Sequence, residues 1–222
     1  MQISRDWRVN LDQEEFMQDY GHTYVRVLRR PGMAEVFDAT FREAASLVEP
    51  AVAWDAFPVQ EMRHEKVILA GGTRIGNGPV TTVMGGADQL AIGVCTIGSK
   101  ITERSHEYRD SGEAVRGMLL DQLGSLAVGQ LSQLFYRQLE MDAASQRLHI
   151  STYLSPGESE WSVKDQSVIF DLLDATQIGV SLTESLLMKP IKSLTLMAGI
   201  GRHPMGVPGA THCDYCTMAD RC

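Results

Sequence analysis

The sequence predicts an α+β fold: a single domain in which an antiparallel or mixed sheet packs against long helices. Three observations carry that expectation. Strand-like and helix-like segments follow one another without the regular β-α alternation of a doubly wound parallel sheet. One helical stretch, Glu113 to Leu139, is long enough to cross a sheet and carries a broad apolar stripe. The 222-residue chain is 44% hydrophobic and 22% charged, a composition that buries a core and does not stay unfolded. The expected domain spans residues 1–200, followed by a cysteine-rich tail over 201–222.

Each element has its own justification. Asp12 to Tyr20 reads as a short helix with acids in its first turn, where the helix dipole favours them. Met33 to Val48 is a second, because Val36, Phe37, Phe41, Ala44, Ala45 and Val48 recur at helical spacing behind the Pro31-Gly32 start signal. Ala51 to Val59 and Lys66 to Leu69 read as strands. The segment GGTRIGNGP, residues 71–79, is glycine-rich but lacks the Lys-Ser/Thr ending of a phosphate loop. With the β-branched run Val80 to Val83 behind it, it predicts a turn between strands. Leu90 to Ile97 is the clearest strand and ends at Gly98.

In the long helix, Val115, Leu119, Leu123, Leu126 and Leu134, with Leu120, Ala127, Leu131 and Phe135, form the stripe. Gly117, Gly124 and Gly129 each cost up to about 1 kcal/mol relative to Ala there, which predicts close approach of a second helix or a ligand. Arg147 to Tyr153 is expected as a strand. Ser162 to Asp174 is expected as a helix with Ser162 as N-cap and Asp165 and Gln166 in support. Gln177 to Thr183 and Lys192 to Ile200 close the domain as strands.

Charge and composition exclude several function classes. Lys plus Arg is 20 against 28 Asp plus Glu, a net charge of −8, so the basic field that drives nucleic-acid binding is missing. The Arg26, Arg29, Arg30 cluster is short and reads as a solvated face. No run approaches the roughly 18 apolar residues of a membrane span, and MQISRDWRVNLDQEEF has no apolar signal core. The expected location is cytoplasmic, where the four cysteines are thiols or metal ligands rather than disulfides.

The end of the chain reads HCDYCTMADRC, which spaces Cys213, Cys216 and Cys222 as C-x-x-C-x-x-x-x-x-C. Three soft thiolates suit an iron–sulfur cluster or zinc. Zinc would take a fourth ligand from His212, His203 or Cys95. Glu184, between Thr183 and Ser185, is the best single acid. It is expected either to receive a ligand amine or to be a buried, satisfied carboxylate. His64, His106 and His149 are scattered, and no Ser-His-Asp or Cys-His arrangement can be assembled.

Between Arg147 and Ser193 the chain reads RLHISTYLSPGESEW, then a helix-like run, then IGVSLTESLLMKPIKS. A Pro-Gly turn before a helix, with L-T-E-S and M-x-P after it, resembles the activation domain of cobalamin-dependent methionine synthase. The resemblance covers roughly residues 90 to 200. It implies a domain that docks over a corrinoid-binding protein or methyltransferase and helps return an oxidised cobalt centre to its methylated state, with cobalamin reaching this chain only through that partner. The reduced cobalt attacks the sulfonium methyl itself, so the domain supplies proximity and needs no catalytic side chain.

In that family a turn of the form R-x-x-P-G-Y holds S-adenosylmethionine, which makes Tyr153, Ser155, Pro156, Gly157 and Glu158 the implied cofactor-binding residues, with Glu184 of L-T-E-S as a further candidate. Pro156 and Gly157 match, and Ser155 is small as the family requires. Tyr153 stands in the place of the Arg and Glu158 in that of the Tyr. The exchange removes a planar, permanently charged fork and adds a repelling carboxylate, which predicts weak S-adenosylmethionine binding at best. The family also carries an acid on the long helix, for which Leu119 to Leu131 offers only Asp121. Two further readings stand beside this one: a redox or metal-binding accessory protein on the same fold without S-adenosylmethionine, and a non-catalytic interaction module.

Overall fold

The structure, a computed structural model, describes residues 1–63, 65–77, 79–158, 160–207 and 209–215. Its centre is a seven-stranded antiparallel sheet in the order β4 (Arg74–Ile75), β3 (Lys66–Leu69), β2 (Ala51–Arg63), β5 (Gln89–Thr96), β9 (Ser193–Gly201), β6 (His149–Ile150). A short β1 (Gln2–Ser4) pairs with the start of β2. The register sets Ala53 against Val94 and Ile92 against Met197. Along β5, Ala91 and Cys95 enter one apolar cluster and Leu90, Ile92 and Val94 the other. Both faces of the sheet are buried, and that is why Leu90 to Ile97 is a continuous apolar run without polar alternation.

One face carries the helices α1 (Gln13–Leu28), α2 (Met33–Leu47), α4 (Lys100–Asp110) and α5 (Ala114–Ser145). Helix α5 comes so close to the sheet that a Cβ at Gly93 would lie 2.4 Å from the Phe135 ring. The glycines of α5 divide: a Cβ at Gly117 would meet the Ser105 carbonyl of α4 at 2.7 Å and one at Gly124 would meet Ile101 and Lys192 at 3.2 Å, whereas Gly129 faces open space. Close packing accounts for the first two.

Helix α4 was not legible in the pattern, because KITERSHEYRD buries only Ile101, Ser105 and Tyr108. Polar contacts seat it. Glu43 of α2 accepts from Arg104 Nε at 2.7 Å, Tyr108 at 2.7 Å and Arg116 at 3.0 Å. The guanidinium groups of Arg104 and Arg116 lie 4.2 and 4.0 Å from the Tyr108 ring centre. Burial alone would raise the Glu43 pKa, but the bonds from Tyr108 and Arg104 and the two positive charges hold it below its ordinary value.

The other face is covered by α3 (Val80–Val83), α6 (Asp165–Leu172), a 3-10 turn (Ala175–Ile178) and the segment around Leu154 and Trp161. Four expectations are corrected here. Val80–Val83 is a helical turn and not a strand, because Pro79 sits at φ −74°, ψ −7° and its carbonyl accepts from Val83 N. Arg147–Tyr153 pairs only at His149–Ile150: the Ser151 hydroxyl takes the Gly199 N–H at 2.9 Å, and its carbonyl takes the Tyr136 hydroxyl at 2.8 Å, which ends the regular ladder. The helix expected over Ser162–Asp174 begins at Asp165, after a tight turn in which Ser162 O accepts from Asp165 N. Gln177–Thr183 contributes only β7 (Ser181–Leu182), which pairs with β8 (Met188–Lys189) apart from the main sheet. The first helix also runs eight residues beyond Tyr20, to Leu28, capped at its start by the Asp12 carboxylate. Among the described residues, no helix is long and apolar enough to cross a membrane.

Candidate functional site

The Pro-Gly turn is a fixed structural joint. Gly157 has φ +96°, a conformation that glycine adopts at little cost, and its N–H donates to Trp161 O at 2.8 Å. Ser155 and Pro156 are buried, and the Ser155 hydroxyl donates to Thr195 O of β9 at 2.6 Å. Asp165 fastens the turn to the 71–79 connection: its carboxylate accepts from Gly76 N and from Trp161 Nε1, both at 2.7 Å. Asn77 adds two more links, accepting from Ser162 N at 3.0 Å and donating to Glu160 O at 3.2 Å. The glycine-rich connection therefore has a packing partner that explains it.

The structure separates the other residues singled out from the sequence. Glu158 is exposed beyond the turn. Glu184 is exposed in the connection between β7 and β8, next to a Thr183–Ser185 hydroxyl pair at 2.9 Å, so the buried-carboxylate reading of it does not hold. Cys95 is fully buried in the helix-side cluster, where desolvation pushes its thiol pKa far up, which removes it as a ligand for the tail. Cys213 lies in a 3-10 turn (His212–Tyr215), while Cys216 and Cys222 lie outside the described residues, as does His64. Among the described residues, no group of three or more His, Cys, Asp or Glu side chains could hold a metal ion.

A cavity of about 560 Å³ lies beside β6, at the edge of the sheet. One wall is α5, through Gln133, Tyr136, Arg137 and Glu140; a second is His149, Ile150, Thr152 and Tyr153; the third is formed by Pro204, Met205, Val207 and Gly209 to Thr211. Of the residues that the family resemblance implied, only Tyr153 lines it.

Three local arrangements hold these walls. The Tyr136 hydroxyl is committed to Ser151 O, and its ring sits 5.1 Å from that of Tyr153. Burial first, then Glu140 and Tyr153, push the Tyr136 pKa well above the ordinary phenol value, so it remains a neutral donor. The 204–211 wall is anchored at its start, where Arg202 donates to Asp88 from its backbone N–H at 3.1 Å and from its guanidinium at 3.2 Å. At its far end, Asp214 accepts from Thr211 N at 2.7 Å, and Tyr215 Oη accepts from Val207 N at 3.2 Å.

Sequence reasoning missed this cavity for an identifiable reason. Gln133, Tyr136, Arg137 and Glu140 follow i, i+3, i+4, i+7 spacing, one polar face of α5, and they lie past Leu131, where the expected helix acid was sought. The stretch before the cysteines gave no sign in the sequence that it would fold back as a wall.

No family model and no curated protein matches the chain. Among solved structures it is similar to the crystal structure of the MetH reactivation domain bound to AdoHcy, at 13% sequence identity and a TM-score of 0.62. The likeness covers 94% of this chain and 80% of that one. At this identity it is a likeness of fold, and it establishes that the chain has the α+β architecture of that reactivation domain.

Proposed function

We propose that this chain is an accessory domain that docks on a corrinoid-carrying protein or methyltransferase and assists return of its oxidised cobalt centre to the methylated state. The observation that carries the reading is the fold likeness to the MetH reactivation domain along nearly the whole chain. The L-T-E-S and M-x-P motifs around Glu184 and Pro190 support it. In such a system the partner's corrinoid supplies the nucleophile, so this chain's contribution is placement of the reacting groups.

The turn residues Tyr153, Ser155, Pro156, Gly157 and Glu158 would hold S-adenosylmethionine only weakly, since no guanidinium stands among them. Cys213, Cys216 and Cys222 would hold an iron–sulfur cluster or zinc, and the cluster suits a repair that begins with one electron.

The test is a reconstitution. The purified chain is added to a corrinoid methyltransferase carrying cob(II)alamin, with a one-electron reductant and S-adenosylmethionine, and formation of methylcobalamin is followed by visible absorbance. The expected result is a several-fold faster return together with co-elution of the two proteins. No acceleration and no complex would reject the proposal. Metal-dependent acceleration of cob(II)alamin reduction to cob(I)alamin in the absence of S-adenosylmethionine, without methyl transfer, would favour the redox accessory reading.

A further inference from the structure

We infer that the outer face of α1 at its C-terminal end, formed by Arg26, Arg29 and Arg30 with His22 and Val25, is a docking surface for a carboxylate-rich segment of a partner protein. Helical spacing gathers these groups. Phe16, Tyr20 and Tyr24 stand at i, i+4, i+8 and face inward, with Phe16 0% and Tyr24 2% exposed. His22, Arg26 and Arg29 follow i, i+4, i+7 on the opposite side, and all three are exposed. Arg30 comes next, on a turn in which Arg30 N donates to Val27 O at 3.0 Å and Met33 N donates to Arg30 O at 3.2 Å. The corner is anchored from below, where the ring of Tyr24 packs on that of Phe37 of α2 with centres 6.0 Å apart.

Charge says what this surface fits. The chain has a net charge of −8, yet the stretch from His22 to Met33 carries three arginines and no acid. Among the described residues these arginines enter no ion pair, whereas Arg104, Arg109, Arg116 and Arg202 each face a carboxylate at 2.7 to 3.8 Å. The nearest acids of α2 do not close on them: Asp38 accepts from Gln13 at 3.1 Å, at the other end of α1. The helix dipole favours a cation in the last turn, where Arg26 stands. Arg29 and Arg30 lie beyond that turn, and nothing internal to the fold uses their guanidinium groups among the described residues.

Guanidinium forks match carboxylates in bidentate pairs, and arginine beside exposed apolar side chains is the composition of a protein interface. Val25 is 44% exposed at this corner, and Met33 is half-buried beside it. An extended phosphate surface, duplex or membrane, would also meet Glu14 and Asp19 of the same helix and the rest of an acidic molecule. Salt at physiological strength screens charges over roughly 8 Å, so a short acidic segment can engage the corner without sensing those acids. Nothing in this surface depends on the corrinoid reading, and the two stand or fall separately.

The experiment is fluorescence anisotropy of a labelled glutamate-rich peptide titrated with the whole chain. Binding should appear at low salt and weaken steeply as sodium chloride is added. Arg29→Ala with Arg30→Ala should weaken it by about fivefold or more, with the melting curve unaltered because both side chains are exposed. Arg63→Ala with Arg74→Ala is the matched control: it removes the same charge from two exposed arginines on β2 and β4 and should change the affinity by less than about twofold. Equal losses in the two double variants would mean that net charge alone governs binding, and would overturn the inference. No binding by the native chain, or binding untouched by the loss of Arg29 and Arg30, overturns it as well. Tighter binding of duplex DNA or of phosphatidylserine vesicles through the same two arginines would assign the corner to phosphates and reject the carboxylate partner.

Discussion

Asp165 looked from the sequence like a first-turn acid supporting an N-cap. In the structure it is 9% exposed and turned inward, satisfying two buried donors from Gly76 and Trp161, with Lys66 Nζ 3.8 Å away. Removing it would strand both donors. Asp165→Ala should therefore destabilise the chain by about 3 kcal/mol, at the upper end for one side chain because two charge-assisted bonds are lost together. Urea titration measures this, and a change below about 1 kcal/mol would mean that water replaces the carboxylate.

Tyr24 is the opposite case, a residue 2% exposed whose hydroxyl has no hydrogen-bond partner among the described residues. Burial, then Asp121 and Tyr20, push its pKa from 10.0 up to about 12. Below pH 10 the phenol is protonated in both states and costs nothing by ionisation. Between about pH 10 and 12 the unfolded phenol releases its proton while the folded one keeps it. The folded state then binds more protons, and stability falls as pH rises. Tyr24→Phe should leave stability at neutral pH unchanged or raise it by up to ~1 kcal/mol. It should also flatten the alkaline decline, which denaturation curves at several pH values would reveal.

At the scale of elements, α5 supplies a paired comparison. Replacing glycine by alanine inside a helix gains up to about 1 kcal/mol where nothing opposes the new methyl group. At Gly129 nothing lies within 4 Å, so Gly129→Ala should raise the melting temperature. At Gly117 the methyl group would meet the Ser105 carbonyl at 2.7 Å, and backbone cannot swing aside as a side chain can. Gly117→Ala should lower stability by about 1–3 kcal/mol despite the propensity gain, by forcing α4 and α5 apart. Equal effects at the two positions would show that α4 does not pack where it is placed.

The sequence revealed elements in proportion to how much apolar surface each buries. Helix α5 and strands β5 and β9 are dense in core residues, and their periodicity was plain. Helix α4 buries three residues and is held by ion pairs, so no hydrophobic pattern announced it. The strand expected through Tyr153 was cut short by one hydroxyl, Ser151, acting in place of backbone, which no propensity encodes.

For the whole molecule, the motif resemblance reached only the second half of the chain, yet the fold likeness spans 94% of it. The first 90 residues belong to the same architecture although they carry none of the motif residues; β2 pairs directly with the central β5. The site was less legible than the fold. Its walls come from three separated stretches, 133–140, 149–153 and 204–211, and only the approach of α5 to the sheet edge and the folding back of the last wall bring them together.

That last wall links the cavity to the cysteines, because the turn that holds Cys213 follows it directly and is tied to it through Tyr215 and Asp214. If Cys213, Cys216 and Cys222 hold one metal centre, the chain purified without oxygen should contain iron and sulfide or zinc, and the three thiols should resist alkylation until a chelator is added. Cys95 should resist alkylation with or without chelator, since it is buried in the core, and unfolding alone should expose it. Cys216→Ser should then release the metal and loosen the wall before the cysteines, which limited proteolysis would reveal, without lowering the melting temperature of the core. A native protein with no metal and three freely alkylating tail thiols would reject the metal centre. A metal-free variant that resists proteolysis as the native chain does would show that the bonds from Arg202 to Asp88 and from Val207 to Tyr215 hold the wall without help from the thiols.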